Sequence, residues 1–161
     1  MSPPSRHDPS FRELTKPECE VMLANHHFGR LAYTFHDRVD IEPIGFVFDR
    51  DGLVFRTGPG SKLVTLKHHP WVALEVDEVE GMFKWRSVVV HGTAYVLSEI
   101  GSEAEQEAYH SALATLRRHV PETLRANDPT PTRSVVMRLS IDKISGRAAN
   151  GQEEDRRPKG K

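Results

Sequence analysis

The chain is poor in several things at once, and each shortage closes off a class of protein. It has a single cysteine, Cys19, so an internal disulfide is excluded, and a reducing, cytoplasmic compartment is the expectation. No apolar run approaches the ~18 residues a membrane helix needs. The first ten residues, rich in proline and polar side chains, have no apolar segment of the secretory kind. Acidic and basic residues nearly cancel, leaving a formal net charge of -1, so the basic face of a nucleic-acid binder is not expected. Reactive motifs are missing too. There is no Gly-x-Ser-x-Gly nucleophile turn, and neither His-Glu-x-x-His nor Cys-x-x-Cys spacing. Nine histidines include the adjacent pairs His26-His27 and His68-His69. Helix neighbours point about 100° apart, so neither pair makes a two-ligand face, and no metal site is expected.

What the chain does have is a succession of alternating apolar segments with clear punctuation. At 161 residues it is expected to form one domain with one core. Residues 1–12 read as a flexible arm, 13–147 as the domain, and 148–161 as a disordered polar tail. Thr15 and Glu18 spell a capping box that starts a short helix with Cys19, Met22, Leu23 and His26 on one face, stapled by Leu14 and ended by Gly29. Strands follow at 30–35, 41–48, 53–57, 71–76, 85–97 and 135–141, with turns at His36-Asp37-Arg38 and Asp49–Gly52. Pro43 marks an edge or bulge, and Gly92 a bulge or bend. The segment Asp77–Gly81 reads as a polar link. Ser102 and Glu105 form a second capping box, opening a helix that runs to about His119. The sum is a mainly β fold, six antiparallel strands with flanking helices, whose long bent strands suit a small closed barrel, the split barrel of the family resembled below.

The stretch Leu53–Pro70 carries the chemistry. A strand empties through Gly58-Pro59-Gly60 into a helix whose first residues are Ser61 and Lys62. A helix start offers unpaired N–H groups and a partial positive charge, which suit a phosphate. Thr57, Ser61 and Lys62 add two hydroxyls and a cation. A tight turn with a solvated lysine is the alternative reading of the same residues. Trp85, Arg86 and Ser87 open the long strand; Trp85 and Ser87 share one face and Arg86 the other, so one ligand meets all three only through a bulge or a second subunit.

In this order, several segments resemble the pyridoxamine 5'-phosphate oxidase-like FMN-binding split-barrel family. They are Phe28-Gly29-Arg30-Leu31-Ala32, Leu53–Lys62, His69-Pro70-Trp71-Val72-Ala73-Leu74, Trp85–Gly92 and Ile144-Ser145-Gly146-Arg147. The resemblance implies a homodimer with flavin mononucleotide (FMN) in clefts between subunits. It also implies that Thr57, Ser61 and Lys62 bind phosphate, that Arg86 and Ser87, beside Trp85, contact phosphate or flavin, and that the backbone at Ile44 and Gly45 lies along the flavin ring. The subgroup it looks most like is the flavin-nucleotide-binding one that includes nitroimidazole-resistance reductases. Leu63 stands where family oxidases often carry a second cation, and no counterpart is seen of the C-terminal segment that holds the vitamin in true pyridoxine phosphate oxidases.

The implied activity is therefore a flavin-dependent reductase or oxidase of a small molecule, with a nicotinamide electron donor and no residue acting as general acid or base. A deazaflavin cofactor or a non-catalytic flavin store on the same fold are the alternatives. Haem would need an axial histidine, and none can be assigned.

Overall fold

The computed structural model describes residues 9–50 and 52–151. Its elements run β1 (Ser10–Glu13), α1 (Lys16–Asn25), β2 (Phe28–Phe35), β3 (Arg38–Asp49), β4 (Gly52–Thr57), α2 (Ser61–His68), β5 (Trp71–Gly81), β6 (Lys84–Val96), α3 (Glu103–His119) and β7 (Val135–Asn150). Every strand pairing is antiparallel, in the order β1-β7-β4-β3-β2-β5-β6, and β6 also pairs with β7. Six strands, β2 to β7, thus close on themselves, and β1 adds to the far end of β7. Closure removes the free sheet edges that an open sheet would expose.

The alternation expected of a half-buried strand is clearest in β2, where Leu31 and Tyr33 point inward while Arg30 and Thr34 face out. Inside the barrel they meet Ile44, Phe46, Phe55, Leu74, Val88, Val90, Met137 and Leu139, with Cys19, Met22 and Leu23 of α1 and Leu66 of α2 joining the same cluster. β4 is buried on both faces. Leu53 and Phe55 enter the barrel, while Val54 turns out to a second cluster with Val47, Val136 and the α3 residues Ala112 and Leu116. That double burial is why Leu53-Val54-Phe55 reads as an unbroken apolar run.

The hairpin between β2 and β3 is a two-residue turn, with His36 at φ 45° and Asp37 at φ 62°, both in the left-handed region such turns demand. Pro43 sits where β3 pairs with β2 alone, because β4 joins β3 only from Phe46 to Asp49. Gly92 lies at a register shift between β6 and β7, and a side chain there would run into the Ser140 carbonyl oxygen.

Four expectations are corrected. Gly29 does not end α1: the helix stops at Asn25 with His26 as its C-cap, and Gly29 is a β2 residue whose missing side chain lets the Glu75 carbonyl oxygen approach within 2.7 Å of where a Cβ would stand. Asp77–Gly81 is the end of β5 rather than a link; its polar residues extend past the apolar barrel interior and still pair with β6. The end of the expected arm joins Glu13 in a strand, Ser10–Glu13, on β7, invisible to hydrophobic patterning because all four residues are exposed. Ala148 and Ala149, expected to open the tail, are buried in β7, which runs to Asn150. The remainder of the expected arm and tail, residues 1–8 and 152–161, and Asp51 of the expected turn lie outside the described residues.

Candidate functional site

The three helices begin differently. Thr15 and Ser102 cap α1 and α3 with complete capping boxes, Glu18 and Glu105 returning the bond to the cap backbone. At α2 the N-cap is Gly60, which has no side chain to give, and no acidic residue stands in the first turn. A Cβ built on Gly60 would meet nothing within 4 Å, so the space in front of the helix is open. Among the described residues the Ser61 hydroxyl has no hydrogen-bond partner, and Thr57, buried at the end of β4, reaches only the Gly58 carbonyl, at 3.4 Å. This end of the barrel therefore gathers donors that the fold itself leaves unused.

Lys62 is differently placed from the solvated lysine of the tight-turn reading. Its side chain is 18% exposed, and Nζ donates to Glu42 Oε2 at 2.6 Å. Tyr33 donates its hydroxyl to the other oxygen of Glu42 at 2.8 Å. Burial, then the hydrogen bond to Glu42, pushes the Tyr33 pKa up to about 12, so the phenol remains a donor across the physiological range. For Glu42, burial pulls upward, but the bonds from Lys62 and Tyr33 outweigh it and hold the carboxyl below its ordinary value. The β2–β3 register sets Glu42 opposite Leu31, and α2 brings Lys62 over it.

Ile44 and Gly45 lie on β3 with opposite orientations. Ile44 is 2% exposed and points into the barrel, leaving only its backbone to a ligand, whereas Gly45 is exposed. Trp85, Arg86 and Ser87 stand apart from the α2 start. Trp85 packs on Phe11 of β1, Arg86 donates to Glu78 at 2.6 Å, and Ser87 donates to Glu75 at 2.9 Å. Ser61 lines a cavity of about 620 Å³ with Thr34, Asp37, Thr65 and His68; Trp85 and Arg86 line a different one of about 330 Å³. In a single chain Ser61 and Lys62 open α2 just after Thr57 and the Gly58-Pro59-Gly60 turn, Lys62 turning to Glu42 while Ser61 faces the larger cavity, and Trp85, Arg86 and Ser87 stand elsewhere.

Two features escaped the sequence reading. Gly45 borders a cavity of about 200 Å³ in which the rings of His27 and His119 lie 4.3 Å apart at 54°. Burial first, then His27 and Arg118, lower the His119 pKa and favour the neutral imidazole. The same cavity reaches Arg56, whose guanidinium binds Asp128 at 2.5 Å and the Thr130 hydroxyl at 3.2 Å, fastening the loop after α3 to β4. Asp128 also accepts from the Leu124 and Thr130 backbone N–H groups, and the Arg56 bond above all holds its carboxyl down at about 2. The alternation of β4 marks Arg56 as outward-facing, but nothing local names a partner 72 residues away. Among the described residues no three His, Cys, Asp or Glu side chains converge as a metal site requires.

Residues 15–148 match the family model described as pyridoxamine 5'-phosphate oxidase. The chain belongs to that family. An uncharacterised protein of Rhizobium meliloti is 31% identical over 81 residues, covering 50% of this chain and 54% of the relative, so the chain spans about half the length of the curated relative it matches. The crystal structure of an FAD-binding protein from Mesorhizobium loti superposes with a TM-score of 0.68 at 26% identity, covering 87% of this chain and 99% of that one. A protein provisionally assigned to 5-nitroimidazole antibiotic resistance in Bacteroides thetaiotaomicron shares the fold, with a TM-score of 0.63 at 16% identity over 87% of this chain and 89% of the other. The split barrel read from the sequence is thus the family's fold, and no helix among the described residues is long and apolar enough to cross a membrane.

Proposed function

We infer that the chain is a flavin-binding oxidoreductase of the split-barrel type, working as a homodimer on a small molecule, with FMN as the cofactor and a nicotinamide as the electron donor. The observation that carries this reading is the uncapped start of α2, with Thr57, Ser61 and Lys62 around it, in a chain of this family. The donor set suits a phosphate: backbone N–H groups at the helix start, two hydroxyls without strong partners, and an ammonium of which Glu42 uses one of three protons. The Mesorhizobium loti protein binds FAD, which has the same flavin ring and likewise carries a phosphate on the ribityl 5' oxygen.

The homodimer reading is supported by the outward face of β3. Val39, Ile41, Pro43 and Gly45 alternate outward along it, and Val39 and Ile41 are 73% and 66% exposed. An apolar stripe of that kind is what a second copy would cover. Such a cover is also what would let Trp85, Arg86 and Ser87 of one chain serve the Lys62 site of the other. A bound flavin supplies the electron transfer itself. The chain's residues would then hold the phosphate, lay the ring along the Ile44-Gly45 backbone, and exclude water from it.

The test is the absorption spectrum of the purified full chain, mass analysis of what heat releases, and light scattering. A yellow protein that releases FMN, scatters as twice 18.2 kDa and is reduced by a nicotinamide is the expected result. A colourless chain that takes up neither flavin nor deazaflavin overturns the reading. Bound flavin that no donor reduces would leave a flavin carrier.

A further inference from the structure

A cation expected to meet a phosphate is already neutralised here. Glu42 takes one proton of the Lys62 ammonium, and Tyr33, 6% exposed and packed in the barrel core, pins the other carboxylate oxygen. Neither holder is a loose surface contact. The Tyr33 ring cannot leave without opening the core, and the hydroxyl it offers has no other acceptor among the described residues. Glu42 is thus fixed from below by the barrel and from above by the helix that begins the phosphate site.

We propose that Glu42 is a specificity-determining residue of this site, a built-in anion that competes with the cofactor's phosphate for Lys62 and sets how far a phosphorylated flavin is preferred over an unphosphorylated one. The proposal rests on the flavin reading above. Two oxygens sharing one ammonium nitrogen stand about 4–5 Å apart, a distance at which like charges repel appreciably in the intermediate dielectric of a protein surface. A phosphate docking at α2 must therefore either share Lys62 with a carboxylate that repels it, or displace that carboxylate from a bond of 2.6 Å. When the phosphate departs, Glu42 resumes its place, and the largely buried ammonium is not left uncompensated. The net effect is a site that binds its nucleotide reversibly: the lysine contributes its charge, and Glu42 subtracts from it.

The experiment compares FMN and riboflavin binding to the full chain freed of flavin. Glu42→Gln keeps the size and hydrogen-bonding reach of the side chain but removes the charge. It should tighten FMN binding about tenfold or more, a change of the size that one charge-assisted contact makes, while riboflavin binding stays within about twofold. Glu42→Asp, which retains the charge, should stay near the wild-type preference, an outcome that a packing role would not produce. Tyr33→Phe, which releases one carboxylate oxygen, should raise the FMN preference severalfold and keeps the test open if Glu42→Gln fails to fold. Inorganic phosphate, titrated without flavin, should raise the unfolding midpoint of Glu42→Gln at lower concentration than that of wild type. The inference is overturned if Glu42→Gln weakens FMN relative to riboflavin, or shifts both alike. If wild type binds neither flavin, the proposed function fails, and the phosphate titration alone decides whether Glu42 guards Lys62 against anions.

Discussion

Two of the three helices satisfy their own first turn and the third does not. At α1 and α3 the cap hydroxyl takes the third backbone N–H and the returning glutamate takes the cap N–H, placing negative charge against the positive end of the helix dipole. At α2 the cap is a glycine, the first turn has no acid, and the carboxylate that does approach, Glu42, comes from a strand and binds the lysine side chain. Helices that serve only to cover the barrel are closed locally. The one whose beginning is open stands where the family resemblance places a phosphate.

That contrast can be broken most severely at Lys62. Lys62→Ala should weaken FMN binding about ten- to a hundredfold, the value of one charge-assisted contact, and leave riboflavin unaffected. A solvated lysine at a helix start would leave unfolding without flavin almost unchanged. With Lys62 largely buried against Glu42, a measurable fall in the unfolding midpoint is now expected, seen by thermal denaturation of the flavin-free chain.

Next in size is a substitution that makes α2 resemble its neighbours. Gly60→Asp places a carboxylate cap in open space with an extended backbone that any residue adopts. Stability should stay level or rise by a few tenths of a kcal/mol, whereas FMN affinity should fall about tenfold or more through repulsion at the helix start. Parallel denaturation and titration would separate the two effects. Loss of both together would mean the turn is structural.

Smaller effects sharpen the comparison from the other side. Ser102→Ala should cost α3 about 1 kcal/mol, roughly 2–4 °C in a domain of this size, with flavin affinity unchanged. Acid should discriminate between helices in the same way. The Arg12 guanidinium and then the Thr15 N–H hold the Glu18 carboxyl down at about 2 from 4.5. A carboxyl depressed on folding stabilises fully above its unfolded value, and that contribution is lost as pH falls from about 4.5 toward 2. Amide protection in the first turn of α1 should fall across that window, whereas at α2 acid should act only through Glu42, whose carboxyl Lys62 and Tyr33 also hold below its ordinary value and which touches no backbone donor of the helix start.

The sequence made the local devices legible because each depends on residues a few positions apart. Both capping boxes, the Ser61 helix start and the Gly92 bulge appear where the residues imply them. Gly29 misled because two uses of glycine look alike in a sequence, a helix stop and a close strand approach, and only the position of the Glu75 carbonyl distinguishes them. β1 has no buried residue and so no pattern to read. Thr57, Ser61 and Lys62 were singled out as candidates because they flank one turn. The Tyr33–Glu42–Lys62 chain was not, since it depends on strand register and on how α2 crosses β3. Arg56 and Asp128, or His27 and His119, are likewise pairs that only the closed barrel creates.

The place of β7 in the barrel bears on how the chain is made. It is the last strand among the described residues, and it hydrogen-bonds β6 along one edge and both β4 and β1 along the other. During synthesis every earlier strand exists before its closing partner does, so β4 and β6 present bare edges to other nascent chains until the region near Asn150 has left the ribosome. Joining β1 to β7 further requires contact between Ser10 and Asn150, close to the longest loop the described residues can form. Folding should therefore be late, abrupt and slow for its size, and ribosome-bound chains truncated before Val135 should aggregate or recruit chaperones where the complete chain does not.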